Sequence, residues 1–166
     1  MVATDVMPNI AKGPVAAGEG DLVGMIAAGA VKLWDAVIVD AAGSGEVLPR
    51  VKTTTTVDDR LIFGIVVDTF NLDTIAAGNL VLIQINGLSK VSTTAGAVTL
   101  GQGVSTSATA GQVAAQAAIA HAGTYSAADA DIQEKKQNAV LGMALTPNTS
   151  TAADTIVVDL NRTPSN

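Results

Sequence analysis

The chain has 166 residues, of which 48% are apolar but only 2% aromatic, and 9 Lys plus Arg stand against 15 Asp plus Glu for a net charge of -6. That length can bury a real core, filled by Val, Ile, Leu and Ala rather than by rings. The longest basic run is Lys135-Lys136 and there is no cysteine, which argues against nucleic-acid binding and excludes disulfides, thiolate nucleophiles and Cys-based zinc sites.

Residues 1–19 hold Pro8, Gly13, Pro14 and Gly18 and show no period, so they read as an extended N-terminal arm. The start, Met1 to Pro8, lacks the basic residues and apolar stretch of a secretion signal, and no signal-dependent export is expected. The longest apolar run, Leu22 to Val31, contains Gly24 and Gly29 and is too short for a membrane span, which needs roughly 20 residues.

Four β-branched runs predict strands: Ala36 to Val39, Leu61 to Val67, Leu80 to Ile85 and Thr155 to Leu160. Turn signals lie between them at Ala41 to Gly45, Asn86-Gly87, Thr94 to Gly96 and Ala110-Gly111. Asn86-Gly87 reads as a tight hairpin turn, because both residues tolerate positive φ. Ser126 to Gln137 places a serine and acidic residues early and lysines late, a pattern that predicts one short surface helix.

Self-similarity organises these elements. Gly29 to Leu33, followed by Val37, Ala41, Gly45 and Val47, matches Gly96 to Leu100, followed by Val104, Ala108, Gly111 and Val113. Phe63 to Val66 matches Leu141 to Ala144, and Ala77 to Asn86 matches Ala152 to Asn161 in the same order. Val47 to Gly64 spans 17 residues against 29 from Val113 to Gly142, which puts about twelve extra residues near 120–138. The expected organisation is all-β: a first β unit at 20–90, a duplicated second unit at 91–166 with that insertion, and a barrel, β-tulip or sandwich as the architecture. One compact body is expected.

Chemistry is sparse. The single histidine, His121, lies in an Ala-rich stretch and reads as a surface or packing residue rather than a catalytic base. Asp58-Asp59 and Asp129 with Asp131 lack the ligand spacing of a calcium loop and read as solvated charge. Carboxylate pairs for sugar hydrolysis have few aromatic platforms to work with, namely Trp34, Phe63, Phe70 and Tyr125, and Trp34 reads as a packing residue at a strand edge. Gly101-Gln102-Gly103 has neither the third glycine nor the lysine of a phosphate cradle. No enzyme activity, cofactor or metal is expected.

The motif order resembles that of the small decoration proteins, also called cement or stabilisation proteins, which tailed phages add to the outside of their capsids. The resemblance rests on Gly20 to Gly24, Gly29-Ala30-Val31 leading into Trp34 to Val39, Phe63 to Asp68, and Ala76 to Ile83. It covers residues 20 to 90 directly and the second half through the repeat. It implies a β-barrel or β-tulip body with an N-terminal arm, a homotrimer on the outer capsid surface and the major capsid protein as partner, with neither nucleic acid nor membrane bound. Val2, Val6, Met7, Ile10 and Val15 of the arm are the candidate partner-binding residues. The alternative is a virion or cell-surface adhesion module for a glycan or receptor.

Overall fold

The computed structural model describes residues 21–43, 49–69, 72–117, 127–149 and 151–160. Ten strands run through them: β1 (Leu22–Ala27), β2 (Ala36–Val39), β3 (Arg50–Lys52), β4 (Ile62–Asp68), β5 (Leu80–Gln84), β6 (Leu88–Thr93), β7 (Gly103–Thr106), β8 (Val113–Ala115), β9 (Gly142–Ala144) and β10 (Asp154–Asp159). One helix, α1 (Ala127–Asn138), lies between β8 and β9 and buries no residue. No helix among the described residues is long and apolar enough to cross a membrane.

The strands close into two five-stranded barrels of identical topology. The first runs β1-β3-β2-β4-β5 and the second β6-β8-β7-β9-β10, each ring closing on itself. In both, one parallel pair (β1 with β3, β6 with β8) is combined with four antiparallel pairs. Closure leaves neither barrel an open sheet edge within its ring. The predicted all-β fold with a single short helix is therefore what forms, and two barrels rather than one shared barrel or a sandwich.

Register extends the repeat to single residues. Val37 pairs with Gly64 as Val104 pairs with Gly142, and Val66 pairs with Ile83 as Ala144 pairs with Val158. Ala27 pairs with Val51 as Thr93 pairs with Val113. Val51, not Val47, thus occupies the place of Val113, and Val47 lies outside the described residues. Thirteen positions separate Val51 from Gly64 against twenty-nine between Val113 and Gly142, so the insertion that holds α1 is longer than the sequence match implied. The first unit carries a longer β2–β3 connection than the β7–β8 connection of the second, so sequence spacing points to Val47 where strand pairing points to Val51.

Asn86-Gly87 is not the turn of a hairpin. Gly87 does take positive φ (80°), but β5 and β6 do not pair; the link carries the chain from one barrel into the other. Gln84 braces it, donating from Nε2 to the carbonyls of Asn86 (2.9 Å) and Leu88 (3.0 Å).

Small apolar side chains fill the barrels. Met25, Ala27, Val31, Val37, Val51, Val66, Ile75, Val81 and Ile83 form the first interior. A second buried cluster joins Val91, Val98, Val104, Val113, Leu141, Ala144, Ile156, Val158 and Leu160 of the second barrel to Ala36, Ile38, Ile62 and Ile65 of the first. Alternation along β2 sends Val37 inward and its neighbours Ala36 and Ile38 into this shared cluster. Ile62 and Ile65 both reach it, despite their odd spacing, because the β2–β4 ladder steps over Phe63 in a bulge.

Candidate functional site

The barrels meet along two hydrogen-bonded seams. On one, the Trp34 carbonyl accepts from the Ser92 amide (3.0 Å) and the Gly111 carbonyl accepts from the Ala36 amide (2.7 Å). Lys90 Nζ lies 5.9 Å from the centre of the Trp34 ring, within reach of a cation–π attraction. On the other, the Ser105 hydroxyl donates to the Asp58 carboxylate, the Asp59 amide donates to Thr106 Oγ1 (2.8 Å), and Thr106 Oγ1 donates to the Thr56 carbonyl (2.8 Å). Asp59 also accepts from Thr54 Oγ1 (3.0 Å) and the Leu61 amide (3.0 Å).

A cleft of about 440 Å³ opens beside the first seam, lined from the first barrel by Lys32, Leu33, Asp35, Thr53 and Thr74 and from the second by Ser92, Thr109 and Gln112. Asp35 is its chemical centre. The Lys32 amide donates to Asp35 Oδ2 (2.8 Å), and the carboxylate sits so close over Gly111 that an added Cβ there would lie 2.4 Å from Oδ1. Burial pushes the Asp35 carboxyl above its ordinary range, opposed by the Lys32 amide bond and the Lys32 charge. The cleft offers hydroxyls, one side-chain amide, the Lys32 amine and one carboxyl whose affinity for a proton is raised, a set suited to hydrogen bonding.

Trp34 lies half-buried just before β2, in a turn whose backbone is unusual for its size. Its φ is 69°, a left-handed conformation that costs a bulky side chain roughly 1–3 kcal/mol. The repeat explains the geometry. Trp34 donates its amide to Val66 O (2.8 Å) as Gly101 does to Ala144 O (2.8 Å), and Gly101 has φ 78°. The turn needs that conformation in both barrels; the second supplies glycine, whereas the first spends strain to set an indole at the junction.

Asp58 and Asp59 are not solvated charge but part of the inter-barrel seam, and Asp58 takes positive φ (53°) to get there. Sequence reasoning missed this because their partners lie 47 residues away in the next barrel. Asp129 and Asp131 lie on α1, where Asp131 pairs with Lys135 one turn on. Gly101 to Gly103 form the turn into β7. Val2, Val6, Met7, Ile10, Val15, Phe70, His121, Tyr125 and the capping Ser126 lie outside the described residues. Among the described residues, no group of three or more His, Cys, Asp or Glu side chains is placed to hold a metal ion.

No protein-family profile matches the chain, and neither does any curated protein. Among solved structures, the head fiber gp8.5 N base of bacteriophage phi29 is similar over 86% of this chain and 97% of its own, at 11% identity and a TM-score of 0.47.

Proposed function

We propose that the chain is a structural virion protein of a tailed phage, a decoration protein that binds the outside of the major capsid protein lattice and stabilises the shell. The observation that carries this reading is where the family-like residues fall. Gly24 lies on β1, Trp34 to Val39 form the left-handed turn and β2, Phe63 to Asp68 lie on β4, and Leu80 to Ile83 on β5. They build one barrel and the face that holds the next, so the resemblance follows a folded unit and its assembly surface rather than scattered composition.

The function needs cohesion and surface, not bond chemistry. Two barrels clamped through a shared apolar cluster give a rigid block, and the acidic surface repels nucleic acid released nearby. On the shell the chain gathers as a homotrimer, with residues 1–19 as an apolar anchor on the major capsid protein.

The test is co-sedimentation with shells assembled from the major capsid protein of the same virus, followed by a map of the decorated particle. Saturable attachment, density on the outer surface and a raised melting temperature of the shell are expected. Deleting residues 1–18 should weaken attachment while leaving a β-type circular dichroism spectrum, and added salt should change binding by the intact chain little. Shells that stay bare would end the decoration reading.

A further inference from the structure

Asn86-Gly87 joins the two barrels without forming a hairpin, and it is the chain's only Asn-Gly pair. Asparagine before glycine is open to one intramolecular reaction above others: the next peptide nitrogen attacks the side-chain amide carbon. A following residue without Cβ leaves that nitrogen uncrowded. Ordered structure usually slows the reaction by holding the two groups apart. Here it holds them together. The Gly87 amide donates to Asn86 Oδ1 (2.8 Å), so Cγ, bonded to Oδ1, is fixed beside the nitrogen that would attack it. Asn86 is exposed, which admits the water and hydroxide the reaction needs.

The link is pinned from both barrels. Leu160 of the second donates its amide to Gly87 O (2.9 Å), and the Ile85 amide donates to Asp21 O (3.0 Å), while Gln84 grips the carbonyls of Asn86 and Leu88. Nδ2 of Asn86 faces Asp21 Oδ2 (3.5 Å). The other described asparagines lack this arrangement. Asn79 precedes Leu80, whose side chain crowds a ring, and Asn138 precedes Ala139, whose amide is bonded to the Lys136 carbonyl (3.1 Å). Asn148 is buried, with its Nδ2 donating to Thr93 Oγ1 (2.9 Å).

We infer that Asn86 is a site of spontaneous deamidation through a cyclic imide with Gly87. Gly87 N gives its proton to hydroxide and bonds to Cγ; the Cγ–Nδ2 bond breaks, and Nδ2 leaves as ammonia after taking a proton from water. Water then opens the ring and restores the Gly87 N–H. Opening at the new N–Cγ bond gives aspartate at position 86. Opening between Gly87 N and the main-chain carbonyl carbon of residue 86 gives isoaspartate, whose main chain runs through Cγ and is one carbon longer. Either product sets a carboxylate where the amide donor faced Asp21, and the like charges repel at the junction of the first barrel with residues 1–20. The iso product also moves the carbonyl that Gln84 holds.

The test holds the full chain at mildly alkaline pH, folded and in parallel in concentrated urea, with samples read by ion exchange and peptide mass mapping. It needs no shell, so bare shells would leave this inference standing. In the folded chain a more acidic species should grow in, altered at position 86 to a mixture of aspartate and isoaspartate, the latter detected by isoaspartyl methyltransferase labelling. Its rate should stay within about tenfold of the rate in urea, because the held geometry offsets the lost flexibility, and should exceed that at Asn79, Asn138 and Asn148 several-fold. Asn86→Gln adds a methylene that disfavours ring closure and should stay uniform at this position; Asn86→Asp supplies the chromatographic standard. A folded chain slower than urea by more than that factor would show that the fold protects the link and would overturn the inference. So would aspartate without isoaspartate, which marks direct hydrolysis rather than a ring, or an Asn86→Gln chain that turns acidic at position 86 as fast as wild type.

Discussion

At one place in the two barrels the same backbone is filled in opposite ways. Val31 and Ile75 form an isolated bridge in the first barrel, and Val98 and Asn148 form its counterpart in the second. Beside the bridge the first barrel buries Ala27, and the second buries Thr93 at the equivalent position. Ala27 and Ile75 solve the site by apolar packing. Thr93 and Asn148 solve it by hydrogen bonding: Asn148 Nδ2 donates to Thr93 Oγ1 (2.9 Å), which itself donates to Asp154 O (3.2 Å). The fold dictates that the volume be filled and every polar atom paired, not which chemistry does it.

Backbone demands, by contrast, are shared. An added Cβ at Gly64 would lie 2.4 Å from Gln84 O, and one at Gly142 would lie 2.3 Å from Asp159 O, so only glycine lets these strands approach. Gly64→Ala and Gly142→Ala should be the most damaging changes, each costing about 3 kcal/mol as the strands are forced apart. Urea melts of the two variants should show similar losses. Each should keep a single transition, because the shared cluster crosses the junction. Two separated transitions would break the view of the barrels as one cooperative body.

Next in size is the polar pair. Asn148→Ala removes the donor to the buried Thr93 hydroxyl and to the Thr94 carbonyl (3.4 Å), leaves a void, and should cost about 2 kcal/mol. Thr93→Ala combined with Asn148→Ile installs the first barrel's solution and should recover most of that loss. A double variant as poor as the sum of its parts would mean that the two sites differ in shape as well as in chemistry.

How far the sequence discloses this molecule depends on what each residue's partner is. Gly64 and Gly142, with the β-branched runs of β2, β4, β5 and β10, are legible because strands and close approaches are local requirements. β3, β8 and β9 have three residues each, too few to show a period, and the inward face of β6 carries Ser89 and Thr93, which masks its alternation. The junction is illegible for another reason: Asp58 with Ser105, and Trp34 with Lys90, are pairings between barrels that no local pattern announces. Of the junction, only the positive φ of Trp34 had a trace in sequence, in its alignment with Gly101. The predicted arm lies outside the described residues.

The smallest expected effect sharpens the same comparison at a titrating group. Asp35 and Gln102 take the same place in the two turns: Asp35 Oδ2 accepts from the Lys32 amide (2.8 Å), and Gln102 Oε1 accepts from the Thr99 amide (3.0 Å). A neutral amide thus suffices to hold the turn. Only the first barrel buries a carboxyl there, under Gly111 of its neighbour, and that burial raises its affinity for a proton. A carboxyl whose folded pKa lies above its unfolded value binds its proton more tightly in the folded chain. Its favourable contribution is complete below the unfolded pKa and is lost as pH rises through the folded one. Asp35→Asn keeps an acceptor for the Lys32 amide and removes the titration. The variant should therefore gain stability relative to wild type as pH climbs out of the ordinary carboxylate range, and the difference should level off once pH has passed the raised folded pKa. Paired urea melts along a pH series measure this. Trp34, the chain's only tryptophan and the residue next to Asp35, reports by its fluorescence whether the junction itself loosens. A difference that stays flat with pH would place the Asp35 carboxylate in water and remove the asymmetry between the two turns.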